Sequence, residues 1–237
     1  MTETPFGSGP ASAIVIGASG GIGSALFSAL EAHGRFSRIV ALGRNSSPAL
    51  DLLDERSIAS AAAEIALLDA KPRLVLDATG FLHGDGFEPE KSLGQIDGAH
   101  MARSFAVNAI GPALLMKHFL PLLPREGKAV FATLSARVGS ISDNRLGGWY
   151  SYRAAKAALN QLVRTASVEL RRRAPEAICV ALHPGTVETR LSASFARRHL
   201  DVLTPADAAT RLLKVIDAVG PEQSGAFLDN QGEPIPF

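Results

Sequence analysis

The run Tyr152-Arg153-Ala154-Ala155-Lys156 places a phenol and an amine four residues apart, a spacing that puts both on one face of a helix. A free phenol titrates near pH ~10 and is a poor base at neutral pH. A neighbouring ammonium favours the phenolate and moves that value toward the range of acid–base work. Such a pair can give a proton to a developing alkoxide or take one from an alcohol; taken alone, it is also what many exposed helix faces carry. Far upstream, Ala13-Ile14-Val15-Ile16 breaks into Gly17-Ala18-Ser19-Gly20-Gly21-Ile22-Gly23. Gly17 tolerates the positive φ of a tight strand-to-helix turn. Gly21 has no side chain where a backbone must approach a pyrophosphate, and Gly23 lets the next helix pack close to the sheet. That helix offers unpaired N–H groups and the positive end of its dipole to phosphates, with Ser19, Gly20 and Ile22 completing the cradle. The spacing is Gly-x-x-x-Gly-x-Gly rather than Gly-x-Gly-x-x-Gly, and a purely structural turn is the competing reading. In this order and at this separation, the two motifs point to hydride transfer with a dinucleotide.

The end of the second strand selects the nucleotide. An NAD site places a carboxylate there for the ribose hydroxyls, whereas an arginine accommodates the 2′-phosphate of NADP. Here the run is Ala41-Leu42-Gly43-Arg44-Asn45-Ser46, and no acidic residue lies between Glu31 and Asp51. Arg44 can pair bidentately with a phosphate, so NADP is expected in preference to NAD; a solvated surface arginine is the plainer reading.

These motifs need a scaffold that sets strand ends against helix starts. Apolar strand candidates at 13–17, 38–43, 49–52, 74–78, 128–134, 177–183 and 225–229 alternate with helical patterns at 21–33, 55–69, 95–106, 107–123, 149–174 and 205–219. The alternation predicts an α/β fold: a single Rossmann-type, doubly wound parallel sheet of about seven strands with helices on both faces. Thr204 is the expected N-cap of the last helix, with Pro205 at its first position. Pro175 stops the long helix before it. With no repeat, linker or low-complexity tract, residues 1–237 read as one domain, with 1–11 loosely held.

At 237 residues, with 46% hydrophobic and 20% charged residues, the composition is that of a globular chain. A net charge of +1 gives no reason to expect nucleic acid or an anionic membrane as partner. The apolar stretch 113–123 is interrupted by Lys117, His118 and Pro121, short of the ~20 residues that span a bilayer. The opening Met1-Thr2-Glu3-Thr4-Pro5 lacks the pattern of a signal peptide, so a cytoplasmic setting is expected. The single cysteine, Cys179, sits in an apolar run and reads as an inert core thiol. There is no His/Cys/Asp/Glu cluster at ligand spacing, so no catalytic metal is expected.

The glycine turn and the Tyr152–Lys156 pair together resemble the short-chain dehydrogenase/reductase family, and other segments follow that family's order. Asn108, in Val107-Asn108-Ala109, falls where the family keeps an asparagine, which implies a water-mediated proton relay to the lysine. The resemblance also gives Lys156 a hold on the cofactor ribose, alongside Tyr152. Pro184-Gly185-Thr186-Val187-Glu188-Thr189 resembles the turn that meets the nicotinamide carboxamide, through the Val187 backbone and the Thr189 hydroxyl. Asp51-Leu52 resembles the segment that touches adenine. The runs 134–141 and 147–153 and the ending 225–237 are similar to the C-factor-like branch, which includes cell-to-cell signalling proteins and carbonyl reductases. A homodimer or homotetramer packed through the fourth and fifth helices is implied.

Two departures from the family pattern stand out. Its Asn-Asn-Ala-Gly appears as Asp77-Ala78-Thr79-Gly80, which keeps Gly80 for close approach to the cofactor beside Ala78. The catalytic serine position, aligned through Gly139, is Ala136. Ser135 is the candidate for orienting the carbonyl, Ser140 is the runner-up, and a site without a serine stays open. Strand alternation could turn Ser135 away, although the chain leaves the sheet here. Tyr150, six residues from Lys156, and Trp149 are assigned to packing or substrate lining. The segment 186–204 is expected to form a substrate lid, with Leu191, Phe195 and Leu200 on one face and Arg190, Arg197, Arg198 and His199 beside them. His183 reads as a buried or hydrogen-bonded histidine. Two functions follow: an NADPH-dependent reductase of small carbonyl compounds (or the reverse oxidation of the alcohol), and a nucleotide-binding signalling protein with little turnover.

Overall fold

The computed structural model describes residues 6–7, 9–84, 86–189 and 202–237. Its central sheet is parallel throughout and runs β2(Arg38–Leu42)–β1(Ala11–Ile16)–β3(Lys71–Asp77)–β4(Ala129–Leu134)–β5(Ala177–Leu182)–β8(Phe227–Leu228). The order of strands, not their direction, reverses at β1: the chain steps to β2 on one side and to β3 on the other, so the carboxyl ends of β1 and β3 are the switch point at which α/β sheets bind ligands. A short parallel pair, β6(Thr186–Val187) and β7(Val202–Leu203), lies outside this sheet.

Alternation along the strands feeds two apolar layers. Ile14, Ile16, Val75, Phe131 and Cys179 face α2(Glu55–Ala66), α4(Gly111–Phe119) and α5(Tyr150–Arg173). Val15, Leu74, Val130, Ile178 and Val180 face α1(Gly21–His33) and α6(Pro205–Ala218). Burying a phenylalanine such as Phe131 contributes about 1.5–3 kcal/mol. The helix starts follow their caps: Asp54 accepts from Arg56 N–H at 3.0 Å, and Thr204 accepts from Asp207 N–H at 3.1 Å ahead of Pro205. Asp97 opens α3(Gly98–Phe105) by accepting from His100 N–H at 2.8 Å. By contrast α1 starts at Gly20, with no capping side chain.

The sheet has six strands, one fewer than expected. The segment 49–52 contributes only a bridge between Gly43 and Ala49. Its backbone is satisfied locally instead: the Ser46 hydroxyl accepts from Gly43 N–H at 2.8 Å, Leu50 N–H donates to Gly43 O at 2.9 Å, and Pro48 has no N–H to give a ladder. The expected helices at 95–106 and 107–123 are one run, Gly98–Leu122, interrupted by a π-helical turn at Ala106–Ile110. This run is long and apolar enough to cross a bilayer by length and composition, unlike the interrupted stretch read from the sequence; 44% of its apolar window is buried within the protein.

Within the opening segment, Phe6 is buried and its ring stands 5.1 Å from that of Phe36. Residues 1–5 and 8 of the segment expected to be loosely held lie outside the described residues. Cys179 is buried in the core, and burial pushes its thiol up to about 12.

Candidate active site

α5 carries three buried polar side chains at four-residue intervals: Tyr152, Lys156 and Asn160. They lie on one helix face, turned toward the ends of β3 and β4. Lys156 Nζ donates to the Leu134 carbonyl at 2.8 Å and sits 5.8 Å from the centre of the Tyr152 ring. Burial acts on the two in opposite senses. It pushes the phenol well above its ordinary value and pulls the ammonium down to about 8, against the attraction of Asp77. At neutral pH the phenol holds its proton and the lysine is largely charged. Trp149 meets Tyr152 edge-on, with ring centres 6.3 Å apart, whereas Tyr150 begins the helix.

The Asp77 departure is structural as well as electrostatic. Its carboxylate is buried at the end of β3 and accepts from Thr133 Oγ1 at 2.7 Å, Thr79 Oγ1 at 2.5 Å and Thr79 N–H at 3.1 Å. Burial raises its pKa, and these three donors and Lys156 oppose the rise. The aspartate thus ties adjacent strands together beneath the lysine. Asn108, within the π-helical turn, clamps the loop after β3: its Oδ1 accepts from Phe81 N–H at 2.9 Å, and its Nδ2 donates to Phe81 O at 2.7 Å and to Ser104 Oγ at 3.2 Å. In a regular helix the Asn108 carbonyl would accept from residue 112, but Pro112 has no N–H. The backbone carbonyl therefore lacks that donor.

Ser135 is buried, and its hydroxyl donates to Asn160 Oδ1 at 2.7 Å. Alternation is kept past the end of β4: Phe131, Thr133 and Ser135 share the side that faces α5. Ser135 reaches that helix two turns beyond Tyr152, not beside it. Ser140 is also buried, and its Oγ accepts from Asp143 N–H at 3.1 Å. Both candidate hydroxyls are thus engaged within the protein.

The glycine turn has the shape its sequence requires. Gly17 has φ +83°, and a Cβ there would stand 3.0 Å from Thr79 Cγ2. A Cβ on Gly23 would overlap the Gly17 carbonyl oxygen. On Gly21 it would stand 2.9 Å from Thr189 Cγ2, so the cradle and the segment after β5 close on each other. Ser19, Gly20 and Gly21 are exposed, and Ile22 is half-buried. The uncapped start of α1, faced by glycines that leave room for a pyrophosphate, fits a dinucleotide. Gly80 and Ala78 line the opposite wall: Ala78 N–H donates to Ile16 O at 2.9 Å, and a Cβ on Gly80 would be 3.6 Å from Asn108 Oδ1. Pro184 O accepts from Asn230 Nδ2 at 3.0 Å, and Gly185, at φ +86°, has no room for a side chain against that amide. Val187 is buried in β6.

Arg44 is exposed and makes no side-chain hydrogen bond or ion pair among the described residues. Asp51 spends Oδ1 on Leu53 N–H at 3.0 Å, and Leu52 packs against Gly111. Of the expected lid, residues 190–201 lie outside the described residues, including Arg190, Leu191, Phe195, Arg197, Arg198, His199 and Leu200; β6 and β7 bring its flanks together. His183 has a buried Nδ1 without a hydrogen-bond partner among the described residues, and burial pulls the ring down to about 4, so it is neutral at pH 7. Asn160 and Glu90, which contacts the start of α5, are absent from the sequence-based candidates. Asn160 had a signal, four residues beyond Lys156; Glu90 had no local pattern.

A family profile described as enoyl-(acyl carrier protein) reductase matches residues 17–220. The C-signal protein of Myxococcus xanthus is 41% identical over 147 residues, 62% of this chain and 84% of that protein. The 1-hydroxy-2-glutathionyl-2-methyl-3-butene dehydrogenase of Rhodococcus sp. (strain AD45) is 32% identical over 194 residues, 82% of this chain and 81% of that protein. Among solved structures, NADPH-bound carbonyl reductase from chicken fatty liver superposes with a TM-score of 0.82 at 27% identity, covering 96% of this chain and 99% of that one. With the glycine cradle, the Tyr152–Lys156 pair and a profile match over most of its length, the chain belongs to the short-chain dehydrogenase/reductase family.

Proposed function

We propose that the protein is an NADPH-dependent reductase of small carbonyl compounds, able to run the reverse alcohol oxidation. The observation that carries this reading is the buried Tyr152 on the same face of α5 as Lys156, whose amine stands 5.8 Å from the centre of the phenol ring. A nicotinamide cofactor bound in the cradle supplies the hydride. Tyr152 donates its phenolic proton to the oxygen of the carbonyl, and Lys156 stabilises the phenolate that results and holds the ribose. Asn108 takes the part of relaying protons to Lys156 through a water. Gly17, Gly21 and Gly23 admit the pyrophosphate, and Thr189 and the Val187 backbone meet the carboxamide. Arg44, with no partner among the described residues, takes the 2′-phosphate; the carbonyl reductase from chicken fatty liver is NADPH-bound.

The test is oxidation of NADPH against a panel of aldehydes, ketones and diketones, with Tyr152→Phe as control. Turnover lost in the variant with NADPH binding retained supports the reading. A dissociation constant for NADH equal to or below that for NADPH removes the NADP preference.

A second reading, a nucleotide-binding signalling protein with little turnover, is favoured by one feature. Position 136 is alanine, and the Ser135 hydroxyl is committed to Asn160. Tight NADPH binding with no turnover on any carbonyl selects this reading. If a carbonyl is turned over and Ser135→Ala leaves the rate within about twofold, a difference below ~0.5 kcal/mol, Ser135 is not the orienting group.

A further inference from the structure

Tyr152 lies in the first turn of α5, and a helix start is the least constrained part of a helix. Trp149, the residue before this helix, supplies no side-chain cap. The capping group comes instead from the loop between β3 and α3. Glu90 is 2% exposed, and its carboxylate accepts from Ser151 N–H at 3.2 Å and from the Ser151 hydroxyl. Its backbone carbonyl accepts from Trp149 N–H at 2.5 Å. His100 Nδ1 lies 3.5 Å from the same carboxylate, and its ring stacks on Phe87 with centres 5.1 Å apart.

The chain reaches Glu90 through an unusual turn. Gly147, Gly148 and Trp149 all take left-handed φ values, +64°, +66° and +52°. Among the described residues, Trp149 is the only non-glycine residue with positive φ. Such a conformation persists only where its surroundings over-determine it, and it concentrates at functional sites. A Cβ on Gly148 would stand 3.2 Å from the Glu90 carbonyl oxygen, so the approach is close on that side too. Opposite, Arg153 ties the same turn down: Nε donates to Gly148 O at 3.0 Å, Nη2 to Gly147 O at 3.2 Å and Nη1 to Val138 O at 3.3 Å. Both neighbours of Tyr152 in the chain are therefore fastened, Ser151 by Glu90 and Arg153 by the loop.

A serine or aspartate at the residue before the helix would cap it from within its own segment. A buried carboxylate reaching in from a distant loop does more, because it also fixes where the helix start sits relative to the end of β3. We propose that Glu90 is a positioning residue for Tyr152: clamping Trp149 and Ser151, it sets the phenol at the distance and angle that proton transfer requires. The inference rests on the reading of Tyr152 as the proton donor. Displacing a reacting group by about 1 Å costs on the order of 100-fold in rate, whereas the hydrogen bonds and ion pair of Glu90 among the described residues go to Trp149, Ser151 and His100 and not to the β1–α1 turn that builds the dinucleotide cradle.

The experiment compares wild type, Glu90→Ala, Glu90→Gln and Tyr152→Phe. For each, kcat, KM, the Kd for NADPH and amide hydrogen exchange at residues 149–153 are measured. The expected result for Glu90→Ala is a kcat lowered by roughly 30- to 100-fold, with the Kd for NADPH within about twofold and faster exchange confined to the start of α5. Glu90→Gln, which keeps an oxygen acceptor for the Ser151 N–H, is expected to recover part of kcat. A kcat within about threefold of wild type for a folded Glu90→Ala overturns the proposal, as does loss of NADPH binding in step with kcat. Should Glu90→Ala not fold, the same criteria applied to Glu90→Gln decide, with a loss of about 5- to 20-fold expected. If Tyr152→Phe keeps its turnover, the functional reading falls on its own account. Exchange at residues 149–153 unchanged in the Glu90 variants overturns the clamp whatever the turnover.

Discussion

Gly17, Gly21 and Gly23 shape the dinucleotide cradle within a single turn, while the surroundings of Tyr152 and Lys156 come from Asp77, Glu90, Leu134 and the loop before α5. The cradle works by what is missing: side chains that would fill the space of a pyrophosphate, and a cap that would occupy the start of α1. The Tyr152–Lys156 end is built from what is present: a lysine held by a carbonyl, a buried phenol, and a helix start capped from outside. Backbone geometry of the first kind is written in consecutive residues. Side-chain electrostatics of the second kind exists only after distant elements have packed.

If the two regions divide binding from chemistry in this way, substitutions should separate them. The largest effect is expected for Tyr152→Phe, which removes the proton donor and should lower kcat by about 10²–10⁴-fold while leaving the Kd for NADPH nearly unchanged. A parallel loss of binding would erase the division. Gly23→Ala should do the reverse: the new methyl meets the Gly17 carbonyl, a backbone atom that cannot swing aside. Overpacking of this kind costs about 1–3 kcal/mol, so NADPH binding measured by calorimetry should weaken by roughly 10- to 100-fold. Unaltered binding would show that the turn has slack the structure does not suggest. Arg44→Ala should weaken NADPH binding by about tenfold, the loss of a charge-assisted contact, and leave NADH binding as it was. An equal change for both nucleotides would move the 2′-phosphate elsewhere.

The smallest effect lies in the stability of the unliganded protein. Lys156 titrates near 8 when folded, below the 10.5 of an unburied lysine. Between those values the unfolded chain holds the proton that the folded chain has lost, so this group's contribution to stability rises with pH. The cost of burying the charge is present in full below about pH 8 and fades as pH approaches 10.5. Lys156→Met should therefore melt a few degrees higher than wild type at pH 7, and the gap should narrow toward pH 10. A constant gap would mean that the lysine carries no such cost. Under the proposed function that same charge stabilises the phenolate, so kcat/KM for carbonyl reduction should fall as pH rises through about 8.

Much of this was legible from residue types and spacing. The helix at 21–33 agrees in both bounds, and Thr204 and Pro205 begin α6 as their types demand. The strand expected at 49–52 is a loop because Ser46 competes for the backbone of Gly43, a side-chain effect that apolar runs do not register. Ser135 is instructive in the other direction. It is the candidate for orienting the carbonyl, and strand alternation carried past β4 turns it toward α5, but at Asn160 rather than Tyr152, since its level along that helix is set by how β4 and α5 pack. Glu90 stands in a loop with no periodicity, and nothing local marks it as the partner of Ser151.

By itself, the sequence determined the alternation of strands and helices that makes a parallel sheet, the open turn after β1 and the presence of a phenol and an amine on one helix face. Each of these depends on contacts within a few residues, on side-chain volume or on helical period. Only the tertiary structure decided which way the phenol's acidity is pushed, which carbonyl holds Lys156, where the Ser135 hydroxyl is spent and what fixes the start of α5. Those are properties of burial and of distances between segments far apart in the chain, and they take values only when the core that brings the segments together has formed.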